Sequence, residues 1–250
     1  MARRSAWTTA VQDSWPADLL PFAMPTSHPF LLPVPPRLAS WNKVGDPDQV
    51  RLAEYLDTAE ELLRPRLERL SGQLALRLDV GLPGSTALLN QRDLDNYLFP
   101  LATRFSRAGT HTLACVWGTK QHSASSLVRI EQAIPAVPSR FELCRTVRTS
   151  ASSQSTAFKK QISEQLEAIS PIPPGPVQMQ LCFTVGPARN WLTLWKPTID
   201  ALGPVLCYTP AGGPWSPLDG RIVDLGLHCR VNPSIRNDVL ITIAATSIRE

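Results

Sequence analysis

The same order of predicted elements runs twice through the chain. Each half reads helix, strand, loop, helix, strand, strand, which is the signature of an internal duplication. In the first half, Val50, Leu52, Leu56, Ala59, Leu62, Leu63, Leu67 and Leu70 recur at helical spacing, with Asp46 or Asp48 as cap and Gly72 beyond the end. Pro65 is expected to kink or divide that helix. A strand over 74–82, a helix over 93–107 and strands over 112–118 and 126–133 follow. In the second half, Phe158, Ile162, Leu166 and Ile169 form one apolar helix face, and the proline run 171–176 stops it. The spacing then predicts a strand over 177–185, a helix over 192–206, and strands over 221–230 and 238–245. Arg92 and Arg189 fall opposite each other at an offset of 97 residues, and the last strands of the two halves at an offset of 112. A Gly/Pro-rich insertion over 207–218 accounts for the difference.

The duplication predicts an α+β protein of two pseudo-symmetric units, each a small mixed sheet with flanking helices. The expected divisions are 1–45, 46–145 for the first unit, and 146–250 for a linker helix with the second. A chain of 250 residues, 43% hydrophobic and 18% charged, buries enough surface to need no disulfide or metal to hold a core. That composition excludes a coiled coil, a membrane span and a fully disordered chain. The 24 prolines outnumber the 13 glycines, and many sit in the first 36 residues. There they separate Trp7, Trp15, Phe22, Phe30 and Trp41, so residues 1–45 read as a wrap over the body or an arm for a protein partner. Trp15, Pro16, Asp18 and Pro21 interrupt any apolar signal region, and the five scattered cysteines read as reduced, mostly buried thiols. Both points suggest a cytoplasmic protein.

Nucleotide-binding glycine loops and the serine nucleophile elbow are absent from the sequence, and His28, His111, His122 and His228 lack ligand spacing and read as surface or half-buried. One motif carries chemistry: Gln91-Arg92-Asp93-Leu94-Asp95-Asn96. Two carboxylates one residue apart at a helix start can converge on Mg²⁺, with water and phosphate oxygens completing its octahedron. Arg92 beside them can grip a phosphate. Spacing alone favours the plainer reading, with Asp93 as an N-cap and Asp95 as a first-turn partner of the helix dipole. Lys196 and Asp200 form a second cluster, four apart on one helix face, and Asp219 follows at the mouth of the next strand.

Taken together, these residues resemble the RusA-like Holliday junction resolvases. The family signature is roughly Arg-Asp-x-Asp-Asn-x-x-Lys-x-x-x-Asp-Ala-Leu, then an acidic pair at the start of a strand. Arg92, Asp93, Asp95 and Asn96 match its opening, and Lys196, Asp200, Ala201 and Leu202 match its middle in register behind Arg189. Asp219 matches one acid of the pair, with Gly220 in place of the other. Family members are short chains acting as homodimers, so this chain resembles two units fused, covering about 72–134 and 176–247. Neither half carries a full set. Phe99 and Thr103 stand at the first unit's lysine and helix-aspartate positions, and Asn190 and Leu192 replace the second unit's paired acids.

The resemblance implies one composite site. Asp93, Asp95 and Asp219 would bind Mg²⁺ or Mn²⁺, Lys196 would complete the catalytic set, and the reaction would be hydrolysis of branched DNA. The expected nucleic-acid contacts are Arg92, Asn96, Arg104, Arg107, Lys120, Arg189, Arg221 and Arg230. From 92 to 160 there are ten Lys/Arg against four acids, an excess able to attract phosphates. The alternative is a RusA-like shape that binds or scaffolds without chemistry. A pseudo-dimer has less need to self-associate, so a monomer without membrane contact is expected.

Overall fold

In the computed structural model the described residues are 15–16, 19–39, 45–90, 92–107, 111–210 and 212–248. The chain opens with a two-residue strand, β1 (Phe30–Leu31), and the helix α1 (Pro47–Leu67). Asp46 caps α1 by accepting from the backbone N–H of Asp48 at 2.9 Å, and Pro47 fits the first turn, where no intrahelical partner exists for its missing N–H. Leu52, Tyr55, Ala59 and Leu63 give α1 its buried stripe. Pro65 does not divide the helix. It lies within the last turn, and the helix ends two residues later.

The strand β2 (Gln73–Leu82), the helix α2 (Leu94–Arg107), and the strands β3 (Thr112–His122) and β4 (Leu127–Gln132) follow. Next come β5 (Leu143–Thr149), α3 (Thr156–Glu164) and β6 (Val177–Val185). The helix expected over 192–206 is instead a 3-10 turn at Trp191–Leu194 and two short helices, α4 (Trp195–Asp200) and α5 (Gly203–Leu206). Gly203 and Pro204 suit a new helix start better than a helix interior. The strands β7 (Ile222–Val231) and β8 (Val239–Ser247) complete the protein.

All strands join one mixed sheet in the order β1-β4-β2-β3-β7-β6-β8-β5, so the fold is α+β. On one side, β2 runs parallel to β3 and antiparallel to β4. On the other, β6 runs parallel to β7 and antiparallel to β8. An antiparallel seam between β3 and β7 joins them, with Cys115 opposite His228 and Thr119 opposite Asp224. β5 edges the sheet beside β8 and has no counterpart in the sequence expectations.

α2 lies against the face of β3 that carries Val116, Gly118 and Lys120. Gly118 allows the close approach there, since a Cβ would meet the buried Leu98 side chain at 2.8 Å and push it aside. The opposite face holds a smaller apolar cluster of Phe22, Ala75, Ala114, Cys115 and Trp117. Residues 19–39 strap that face and the β4 edge. Phe22 donates its backbone N–H to His228 Nδ1 at 3.2 Å, Arg129 donates to the Ser27 carbonyl, and Ala39 N–H donates to the Asn96 carbonyl at 2.8 Å. Trp7 and Trp41 lie outside the described residues. His228, expected at or near the surface, is fully buried between Trp117 and Phe22, and burial pushes its pKa down to about 3, so it is neutral. The five cysteines are free thiols, four of them buried and Cys207 exposed. Among the described residues no helix is long and apolar enough to cross a membrane.

Candidate metal and nucleic-acid site

Arg92 turns the chain into α2 through a left-handed backbone conformation, with φ of 68°. A non-glycine residue there costs about 1 kcal/mol, which the surroundings must offset. They do so through Lys120 on β3, whose ammonium donates to the Arg92 carbonyl at 3.2 Å and to the Gly220 carbonyl at 2.6 Å. One buried lysine thus ties the loop before α2 to the loop before β7. Burial pulls its pKa down to about 8, against the opposing pull of Asp93, Asp219 and Asp95.

The two ends brought together carry the carboxylates. Asp93, Asp95 and Asp219 each present a ligand atom, and these atoms lie within 4.8 Å of one another. Asp95 is 3% exposed, and burial raises its pKa to about 7, with Lys196 opposing. Asp93 is half-buried and also raised, first by burial and then by Asp219. Asn96 donates its side-chain N–H to Asp93 at 3.3 Å and so holds one of the acids.

Lys196, on α4, lies 3.0 Å from Asp219 and 3.1 Å from Asp200. Burial acts to lower its pKa, but Asp95, Asp219 and Asp200 outweigh that and hold it above the usual lysine range. Lys159 on α3 pairs with the other oxygen of Asp200 at 3.1 Å. Crowded carboxylates set partly or wholly below the surface are the donor set a hard divalent cation suits, since the cation supplies the positive charge that such a cluster lacks. The residues fit such an ion, with Asp93, Asp95 and Asp219 as ligands.

The expected nucleic-acid contacts lie in different surroundings. Arg92 is exposed, with its side chain hydrogen-bonded to the Tyr97 hydroxyl, and Arg230 is exposed at the end of β7. Arg189 is half-buried and donates to the Ala151 carbonyl at 3.0 Å. Arg221 must be corrected. It is 6% exposed, and its guanidinium donates to the carbonyls of Gly175 and Leu206, both at 2.9 Å, and of Ile172 and Pro173. Its hydrogen-bonding capacity is taken up in joining the segments that flank α5 and β6. Lys120 is likewise corrected from surface contact to internal clamp. Arg104 pairs with Asp57 at 2.7 Å and with Glu60, fastening α2 to α1. Arg107 closes α2, and its side chain lies outside the described residues.

Part of the basic excess over 92–160 is absorbed in the same way. Arg129 pairs with Asp79, Arg148 with Asp238, and Lys160 with Glu164. Most of the neutralising acids lie outside the sequence window in which the excess was counted. No family model, curated protein or solved structure matches the chain.

Proposed function

We propose that this protein binds nucleic acid and hydrolyses a phosphodiester of branched DNA with Mg²⁺ or Mn²⁺, through one site that two fused RusA-like units share. The observation that carries this reading is the meeting of Asp93 and Asp95 with Asp219 and Lys196, residues about a hundred positions apart in sequence. The duplication itself is supported by the strand pairing either side of the seam. It is further supported by register irregularities at matching places, between Leu74 and Ala75 in β2 and between Val177 and Gln178 in β6.

In this reading the three carboxylates hold the cation. When bound, the cation neutralises charge on the phosphodiester and makes a coordinated water more acidic. Lys196 orients Asp219 and adds a positive charge next to the phosphoryl group. Asn96 fixes Asp93, and Lys120 holds the two loops in register. Arg92, exposed at the rim, offers a bidentate grip on a flanking phosphate.

The test is cleavage of a synthetic four-way junction against a linear duplex of the same sequence, with Mg²⁺ or Mn²⁺, beside Asp95→Asn. Cleavage by the parent alone is expected. Binding without cleavage under either metal would reduce the protein to a binding module. Affinity that ignores salt would remove nucleic acid altogether.

A further inference from the structure

Resting on the reading above, we propose that the protein is a single-strand nickase: it hydrolyses one phosphodiester per encounter, even on a junction whose two halves are identical. The two sides of the β3–β7 seam share strand pairing, and the second-half positions that would correspond to the first site have lost its chemistry. Where Asp93 and Asp95 stand in the first half, the second has Asn190 and Leu192. The Asn190 side chain accepts from the Leu192 backbone N–H at 3.1 Å, which makes it a helix cap, and Leu192 is buried. Phe99 and Thr103 occupy the positions that would correspond to Lys196 and Asp200. Phe99 meets Trp195 edge-on with ring centroids 6.4 Å apart, and Trp195 meets Trp191 at 5.1 Å. The residues before β3, Ala108-Gly109-Thr110, supply no counterpart to Asp219.

Among the described residues, Asp93, Asp95 and Asp219 are the one group of three ligands able to hold a metal ion. A second observation sets them apart from an ordinary acidic patch. Asp95 is 97% buried, as its 3% exposure implies, and none of the hydrogen bonds or salt bridges described engages its carboxylate. Lys196 opposes part of the cost of that burial, and a cation held by the three carboxylates would meet the rest.

One centre acts on one phosphorus. The oxygen of one water bonds to phosphorus as one P–O bond to the sugar breaks. The departing sugar oxygen takes up a proton and leaves as a hydroxyl, and the other fragment keeps the phosphate. With a single centre, the equivalent bond on the opposite strand is reached only after release and rebinding the other way round.

Two measurements test this. Mn²⁺ titration followed by electron paramagnetic resonance reads the metal centre without turnover. All tight Mn²⁺ binding is expected to vanish in Asp95→Asn, whose fold is checked by near-UV circular dichroism. A class of tight sites that survives the substitution would reveal a second centre and overturn the proposal. Cleavage of a supercoiled plasmid bearing an extruded cruciform reads the product. Nicked circles should come first, with linear plasmid only after a lag. Linear plasmid from the first turnover would sink the one-strand cut while leaving the nuclease reading intact. A plasmid left whole despite bound Mn²⁺ would overturn both.

Discussion

Two segments cross the same face of the sheet, and they have been put to opposite uses. α2 is a continuous helix that carries Asp95 in its first turn, directly after Asp93. The stretch from Trp191 to Leu206 is broken into three short pieces, and it packs Trp191, Trp195, Ile199 and Leu206 into the core. The first segment gathers charge where charge is costly. The second offers mostly burial, with Lys196 and its partner Asp200 as its contributions to the cluster. Each half is therefore spared the conflict between stability and function that a symmetric molecule would face twice.

That contrast can be broken most easily at Trp195. Trp195→Ala empties a site that is 1% exposed, and a loss of about 3–5 kcal/mol is expected for such a truncation. At a few degrees per kcal/mol the melting temperature should fall by roughly 10 °C. A fall of a degree or two would mean that the aromatic segment is not the stabilising half.

The acidic segment should respond with the opposite sign. Asp95→Asn relieves a buried carboxyl whose folded pKa is about 7 against an ordinary 3.8. The folded protein keeps that proton over a range in which the unfolded chain has lost it. Its contribution to stability is therefore full below about pH 4 and is lost as pH rises through about 7. Without divalent metal, the melting temperature of the parent should fall across that window. Asp95→Asn should flatten the fall and melt higher at pH 8, by about 1–3 kcal/mol of stability. Mg²⁺ should restore the parent and leave the variant unmoved. Differential scanning calorimetry at several pH values checks all three outcomes.

Lys120 sharpens the comparison, because it belongs to neither segment and grips the loops of both. Lys120→Met should weaken Mn²⁺ affinity about tenfold, the scale on which groups behind metal ligands act. Isothermal titration reads this directly, and an unchanged affinity would show that the loops hold their register unaided. The smallest effect is expected at Arg104, whose pairs with Asp57 and Glu60 are partly exposed. Arg104→Ala should cost less than about 1 kcal/mol in urea unfolding and leave DNA affinity unchanged.

What the sequence disclosed follows from range. The strand 177–185 and the start of α2 were legible because local periodicity and a two-carboxylate motif define them. The edge strand β5 was not, since Arg145 and Arg148 interrupt its apolar alternation and its partner β8 lies nearly a hundred residues away. The break in 191–206 turned on Gly203-Pro204, which was in plain view but outweighed by apolar spacing. Lys120 had a readable signal. It shares strand parity with Val116 and Gly118, and a lysine on that face has to be buried or functional. The basic stretch misled for the converse reason: a window along the chain counts charges but not the partners folding brings to them. Asp219 could be matched to a motif, but its distance from Asp93 depended on a seam between strands that nothing local encodes.

That seam has a further consequence. β3 and β7 are joined by main-chain hydrogen bonds within a single polypeptide, so the two sides of the carboxylate cluster cannot part on dilution. In an assembly of separate subunits the same cluster would dissolve as concentration fell below the dissociation constant. Here its integrity is independent of how many copies a compartment holds, and a handful of molecules is as well formed as a concentrated stock.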